Sequence, residues 1–562
     1  MTVGAAIFVG QVVRQAISPR FQKVTEISVT RGTRYVRSRG AVAALLLLGL
    51  FLVCYVVMIL AWEDFAYSDN SMFTLYTLRG HDLAPPILRA SGRFYPLGSQ
   101  EFNLIRHFTT TVAGYHAWPI AQLLIFSFVL LILDDELNMT ARVGLTAFAL
   151  ITLGSVISFT GLIYEERNVL LCLACLLLLV KRFEETESTA CAVAAVVCAQ
   201  IMIYYKETAF LLLLGFAIGR LILRCKRRGQ TGWDYGRLRD KESRLDLCLA
   251  SLAVMFLLYY VAVMTPHLNM QYADEWRLPL MQVLLTYVRL DLLAWLFVAF
   301  VLGRLYLILR HRIAPSLLWD GLALGGVACF AAYLYLGIYS AYYLAPVDLI
   351  AVLYLGRFAI LSLGKMRVRS KVAALIVLAV VLLQDISLSA FRVFERKNII
   401  HGKAEIASVV KAQYQNGTGS VQRVFFPFAS PYRVMEFASY VNYRGVPVEG
   451  VPVESAGANS IVVVSRAVAK DGPCIGYASP ICHAGNKPDP GDLVIVLPDD
   501  DASLAEVGPY RDGGELLFSY EPRPRIPHWV YSLIRPLHVA SYAFAHKELP
   551  DRWPNASVTA WK

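Results

Sequence analysis

AVAALLLLGLFLVCYVVMILAW, residues 41–62, contains no charge and is followed at once by Glu63 and Asp64. A bilayer core of roughly 30 Å takes about 20 apolar residues of α-helix, so this stretch by itself reads as a membrane span. Similar runs recur near 117–134, 143–163, 168–181, 189–205, 208–224, 247–264, 286–309, 321–339, 343–363 and 372–390. The pattern predicts an α-helical polytopic membrane protein with about eleven transmembrane helices. Composition points the same way: 57% of the 562 residues are hydrophobic and 17% charged, with a mean hydropathy of +0.51, outside the usual range of soluble domains.

Lys and Arg near span ends resist translocation, so their placement sets orientation. Arg14, Arg20, Lys23, Arg31, Arg34, Arg37 and Arg39 make 1–40 a basic arm, and no cleavage-site pattern follows the first run, which reads as an anchor rather than a removed signal. With the arm in the cytoplasm, every second turn is basic: Arg142; Lys181 and Arg182; Arg224, Lys226, Arg227 and Arg228; Arg310 and Arg312; Lys365, Arg367, Arg369 and Lys371. The segments 63–116, 164–168, 205–208, 265–285 and everything after 391 then lie outside. The expected organisation is a membrane domain over 41–390, with a long first outer loop at 63–116, and an extracytoplasmic (periplasmic) domain over 391–562, in a plasma membrane of bacterial type. The net charge of +11 is accounted for by these short clusters and anionic headgroups, which argues against nucleic acid as a partner.

Beyond 391, apolar stretches at 422–427, 461–465, 493–497 and 515–519 alternate with Gly, Pro and Asp turns and predict a small soluble α/β domain. Cys474 and Cys482 share a polar loop there, and an oxidising compartment would favour a disulfide that the spacing alone leaves open. The other cysteines, including Cys172 and Cys175 of a CxxC, fall in or beside apolar runs and read as packing residues.

Polar chemistry gathers at three places on the expected outer side. Glu63, Asp64 and Asp69 follow the first span, where a low dielectric can tune a carboxyl group. The first outer loop carries Arg93 and Tyr95 within GRFYPLG, residues 92–98, and so long a loop between spans is usually functional. Tyr164-Glu165-Glu166-Arg167-Asn168 and Tyr204-Tyr205-Lys206-Glu207-Thr208 make two tight charged turns. Desolvated charges must pair with each other or with a charged ligand. Glu165, Glu166, Arg167, Lys206 and Glu207 therefore form either an internal ion-pair network or a binding site.

The acids at the first-span exit, the GRFYPLG stretch, the Glu-Arg turn and the Lys-Glu-Thr after a later span together resemble the membrane-embedded GT-C glycosyltransferases, over roughly residues 40–225. The resemblance implies a GT-C-like membrane domain, an acid of the first outer loop as catalytic base, and a polyprenyl-phosphate sugar as donor. The protein O-mannosyltransferase and aminoarabinose transferase branches have Asp-Glu where this chain has Glu63-Asp64, so the bacterial polysaccharide- and lipid-modifying branches look nearer, and the order leaves open which carboxylate is the base.

Such a transfer needs a base for the acceptor hydroxyl and cations for the departing phosphate. Asp64 is expected as the base, with Glu63 and Asp69 as supporting acids. Lys206, Arg167 and Arg93 are expected at the donor phosphate, supported by Glu165, Glu166, Glu207 and Tyr95. The acceptor would be a glycan, lipid or protein, and a single displacement would invert the anomeric carbon. No metal-ligand motif appears and no cofactor is required, because Arg and Lys can neutralise a monophosphate; a divalent ion held by Glu63, Asp64, Glu165 and Glu166 is the alternative. Three other functions compete. A transporter or flippase of lipid-linked glycans would place charges near span centres. A glycan ligase or polymerase would need groups matched to a pyrophosphate, and a scaffold would need none of this chemistry.

Overall fold

The computed structural model describes residues 39–66, 70–89, 92–225, 236, 240–267, 279–337, 340–363, 368–416, 424–425, 439–445, 462–465, 493–497 and 506–509. Asp69, Cys474, Cys482, the expected strand at 515–519 and the basic arm before residue 39 lie outside the described residues.

Helix α1 (Arg39–Trp62) leads into a first loop that folds as α2 (Asn70–Leu78), a hairpin of β1 (Ile87–Leu88) and β2 (Arg93–Phe94), and α3 (Gln100–Ile105). Then come α4 (Val112–Leu133), α5 (Met139–Ile151), α6 (Leu153–Thr160), α7 (Glu166–Thr186), α8 (Thr189–Tyr205), α9 (Ala209–Cys225) and α10 (Lys241–Tyr259). They are followed by α11 (Leu280–Leu290), α12 (Leu292–Leu309), α13 (Leu317–Leu336), α14 (Ala345–Leu363) and α15 (Val368–Asn416). Within the described residues each apolar run is mostly helical. Among the described residues, seven helices are long and apolar enough to cross a membrane, and an eighth counts if α5 and α6, which meet at 69°, form one broken span. The expected eleven is larger because α8 and α9 have only 17 residues each and α7 carries charged residues near both ends.

Three expected spans differ in shape. The run 143–163 breaks at buried Thr152, whose hydroxyl turns back to Ala149 O and Ser155 Oγ, each at 3.0 Å. The run 286–309 is divided at Asp291, whose carboxylate accepts from Ala294 N at 2.9 Å and caps α12. The run 372–390 is part of α15, one helix of 49 residues.

α7 is buried along most of its length, with Val169, Leu170, Leu173, Ala174, Leu176, Leu177 and Val180 all in the core. α1 is its opposite: Leu46, Leu47, Leu50, Val53, Val57 and Leu60 stand exposed. An apolar belt of that kind suits contact with lipid, consistent with a helical membrane protein. α9 and α13 approach most closely through two pairs of glycines four residues apart, Gly215 with Gly219 and Gly321 with Gly325. A Cβ on Gly325 would stand 2.5 Å from Leu212 O, and one on Gly215 2.9 Å from the Gly325 Cα. In lipid, where apolar burial drives little, such backbone-to-backbone packing holds helices together.

One end of the bundle is closed by ion pairs. Arg220 is fully buried between Asp246 (2.7 Å) and Glu184 (2.6 Å), and Arg224 reaches the same two acids, each at 2.9 Å, as well as Glu242. Arg357 joins Asp134 and Glu136 at the same end.

Past α15 the described residues include four short strands, β3 (Val424–Phe425), β4 (Val462–Ser465), β5 (Leu493–Leu497) and β6 (Glu506–Pro509). β4 and β5 are parallel, with Val462 opposite Val494, and β6 is antiparallel to β5. β3, β4 and β5 lie where the alternation in the sequence puts strands.

Candidate functional site

At the other end of the bundle, α1 delivers Glu63 and Asp64 into unequal surroundings. The Glu63 amide still bonds to Ile59 O at 3.1 Å, so its side chain stays in the packed interface, 7% exposed, with Oε2 2.7 Å from Nε of Arg396 on α15. Trp62 holds α15 in place: its ring packs on Phe394 at 5.5 Å and carries the Lys397 ammonium at 4.0 Å. Burial pushes the Glu63 carboxyl up to about 7, against the pull of Arg396.

Asp64 is only partly buried. Its Oδ1 accepts from Phe65 N at 2.7 Å and its Oδ2 from the Tyr440 hydroxyl at 2.8 Å; among the described residues no cation pairs with it. Phe65 lies edge-on to Tyr115 at 5.4 Å and to Tyr443 at 5.1 Å, which pins the helical turn 439–443 beside the acids.

The GRFYPLG stretch folds onto the Lys-Glu-Thr turn. Phe94 packs against Tyr259 (4.9 Å) and Phe256 (5.7 Å), Leu97 N donates to Tyr204 O at 3.1 Å, and Tyr260 donates its hydroxyl hydrogen to Gly92 O. Gly98 is needed there, since a Cβ would lie 2.3 Å from the Tyr95 ring. Arg93 is thereby brought to Glu207 at 2.5 Å and over the Tyr95 ring at 4.6 Å. Burial pushes the Tyr95 hydroxyl up to about 12.

The Glu-Arg turn is locked from inside. Arg167 is fully buried and donates to Gln122 Oε1 (2.9 Å), to the carbonyls of Gly161 (3.0 Å), Leu162 (2.5 Å) and Tyr164 (3.2 Å), and to Glu101 Oε1 (2.6 Å). Glu166 pairs with Lys206 at 2.8 Å, and the Lys206 ammonium lies 4.2 Å from the Tyr343 ring. That carboxylate is out of line for a hydrogen bond, so the contact is one of charge. Burial by itself would lower Lys206, but Glu166, with Glu207 and Glu165, holds it above the usual lysine range. Glu207 is buried too, yet Arg93 and Lys206 keep it below the usual carboxylate range. Glu165 accepts from Ser99 Oγ at 3.1 Å and is raised by burial to about 7.

These charges form three ion pairs, Arg93 with Glu207, Lys206 with Glu166 and Arg167 with Glu101. Arg93, Arg167 and Lys206 each already face a carboxylate, and Arg167, enclosed by its own bonds, is not open to a ligand. Arg396 connects the network to the acid pair: a Cβ on Gly161 would lie 2.9 Å from its Nη1, and the Gly161 carbonyl is one that Arg167 holds.

No protein-family profile, curated protein or solved structure matches the chain.

Several polar groups of this end escaped the sequence reading. Arg396, Glu101 and Tyr440 reach the site from distant segments. His116 is fully buried on α4 with neither ring nitrogen hydrogen-bonded among the described residues, and Asn70 and Thr74 on α2 are likewise buried with unpartnered side-chain atoms. A lone His in an apolar run gives no signal of this. Asp291, Asp348 and Asp385 lie close enough for their charges to act on one another. Among the described residues no group of three or more His, Cys, Asp or Glu is placed to hold a metal ion.

Glu63 and Glu165 give the fold a pH dependence with a definite sign. Each is raised from 4.5 to about 7, so the folded protein retains protons that the unfolded chain releases. Their contribution is complete below about 4.5 and declines as pH rises to about 7. Thermal unfolding of detergent-purified protein across this window, compared with Glu63→Gln, isolates one group: the variant should lose less stability with rising pH. An identical slope in the two proteins would contradict the assignment.

Proposed function

We propose that the chain is an integral membrane glycosyltransferase of GT-C type, transferring a sugar from a polyprenyl-phosphate donor to a glycan, lipid or protein acceptor on the outer face of a plasma membrane. In this reading α7, α8 and α9 also cross the bilayer, which restores about eleven spans, and residues 391–562 form an extracytoplasmic α/β domain. The observation that carries it is the unequal treatment of two adjacent acids. Glu63 is buried against Arg396, whereas Asp64 is partly open, aligned by Tyr440 and, among the described residues, without a paired cation.

Asp64 takes the proton of the acceptor hydroxyl as that oxygen bonds to the anomeric carbon. The bond from this carbon to the phosphate oxygen breaks, and the phosphate departs with the bonding electrons on its lipid. Lys206, whose hydrogens make no hydrogen bond to its carboxylate partner, and Arg93 face the departing charge. Arg167 is a positioning residue that holds the turn carrying Glu165 and Glu166. Protein reconstituted into sealed vesicles of known orientation tests the proposal. Transfer from a polyprenyl-phosphate sugar should occur only when donor and acceptor are on the side of Asp64 and residues 391–562; transfer from the opposite side alone would reverse the orientation, and none from either side would refute the activity.

One observation favours a transporter or flippase of lipid-linked glycans: Asp348 and Asp385 are buried, 4% and 7% exposed, inside candidate spans, where charge is costly and usually functional. In the same vesicles, movement of the intact lipid-linked sugar without a new glycosidic bond would support that reading.

A further inference from the structure

Where α15 meets the turn 439–445, Ser408, Lys411, Ala412, Tyr443 and Arg444 line a cleft of about 560 Å³. Two partly buried cations face it; among the described residues no carboxylate lines it and neither Lys411 nor Arg444 has a side-chain partner. Gly445, at φ 94°, keeps one edge clear, since a Cβ there would already touch the Lys411 ammonium at 3.5 Å. Like charges gathered without a counter-charge are relieved by an anion that accepts hydrogen bonds from both.

The cleft is adjacent to Asp64. Arg444 lies one helical turn beyond Tyr440, with its amide on Tyr440 O at 3.0 Å, and Tyr440 is the residue that holds the Asp64 carboxylate. Tyr443, in the cleft wall, packs on Phe65. One to two turns of helix, about 5–10 Å, separate the two sites, a span of one or two sugar units.

Along α15, Lys411 stands well beyond the end of the apolar run. The apolar part of α15 ends at Phe394, and Lys411 follows 17 residues later on the same unbroken helix, about 25 Å farther along its axis. A phosphate anchored to a membrane-embedded lipid belongs near Phe394, not near Lys411. We propose that this cleft binds an anionic group, carboxylate or phosphate, carried by the acceptor glycan one or two units from the reacting hydroxyl. The acceptor of the proposed transferase is then an acidic glycan; this rests on the glycosyltransferase reading.

The test is binding to the purified full chain in detergent, with tetragalacturonate, its carboxyl-reduced counterpart and farnesyl phosphate as probes. Tetragalacturonate should bind about tenfold or more tightly than the reduced chain, with an affinity that falls as salt rises. Lys411→Gln with Arg444→Gln should abolish that preference and leave farnesyl phosphate binding unchanged, while Lys411→Arg should keep both. Equal binding of the acidic and reduced chains would overturn the proposal. So would loss of farnesyl phosphate binding in the double variant, which would give the cleft to the donor. Failure of the parent reading is separate: it appears as absence of sugar transfer by the unsubstituted chain in vesicles.

Discussion

Asp64→Asn should lower the rate of sugar transfer by roughly 10²–10⁴-fold while donor affinity changes little. Asparagine has the same shape: its oxygen can accept from Phe65 N while its amide nitrogen donates to the Tyr440 hydroxyl oxygen, so the turn 439–443 keeps its anchor. What is lost is the ability to take the proton of the acceptor hydroxyl, a loss felt in the transition state and not in binding. Glu63→Gln should cost less, because Glu63 is enclosed against Arg396 and touches no substrate in the proposed arrangement. The assay is single-turnover transfer with saturating lipid-linked sugar. If Asp64→Asn transfers normally and Glu63→Gln does not, Glu63 is the base; if both transfer normally, the glycosyltransferase proposal fails.

Arg167→Ala should cost about 3–5 kcal/mol of stability, the usual penalty for leaving one member of a buried ion pair alone. Glu101, whose Oε2 has no partner among the described residues, would lose its cation. Gln122 and the carbonyls of Gly161, Leu162 and Tyr164 would lose their donor. Replacing the pair together, Arg167→Met with Glu101→Leu, should recover part of the loss, because an apolar pair leaves no unmatched charge. Thermal unfolding of the three proteins in one detergent measures this. Unchanged stability of Arg167→Ala together with weakened donor binding would return Arg167 to the phosphate site.

The helices were legible in the sequence because length and hydropathy are local properties: each apolar run needs nothing else to declare itself. Their breaks were not. Thr152 bends a continuous run through bonds its hydroxyl makes only when buried, and Asp291 caps α12 in a stretch whose flanks are equally apolar. The continuation of α15 was hidden too, since beyond Phe394 it becomes polar and resembles the start of a separate domain. The acids of the site were visible because they follow an uncharged run so abruptly. Their partners were not: Arg396 is 333 residues from Glu63 and Tyr440 is 376 from Asp64, separations over which composition carries no information. The charged turns lay between these cases. Their balance of acids and bases allowed both a network and a ligand site, and only the enclosure of Arg167 by three carbonyls separates the two for that residue.

α15 also fixes a timing of angle along the chain. A helix turns roughly 100° per residue, and Asp385, Arg396 and Lys411 belong to one uninterrupted helix, so their bearings around its axis are tied together. The acid beneath the site, the cation that holds Glu63 and the cation of the cleft therefore act as marks on a single shaft. Adding or removing one residue between Arg396 and Lys411 would swing the cleft by more than a quarter-turn and leave Glu63 where it is, so the two can be set out of phase without altering either.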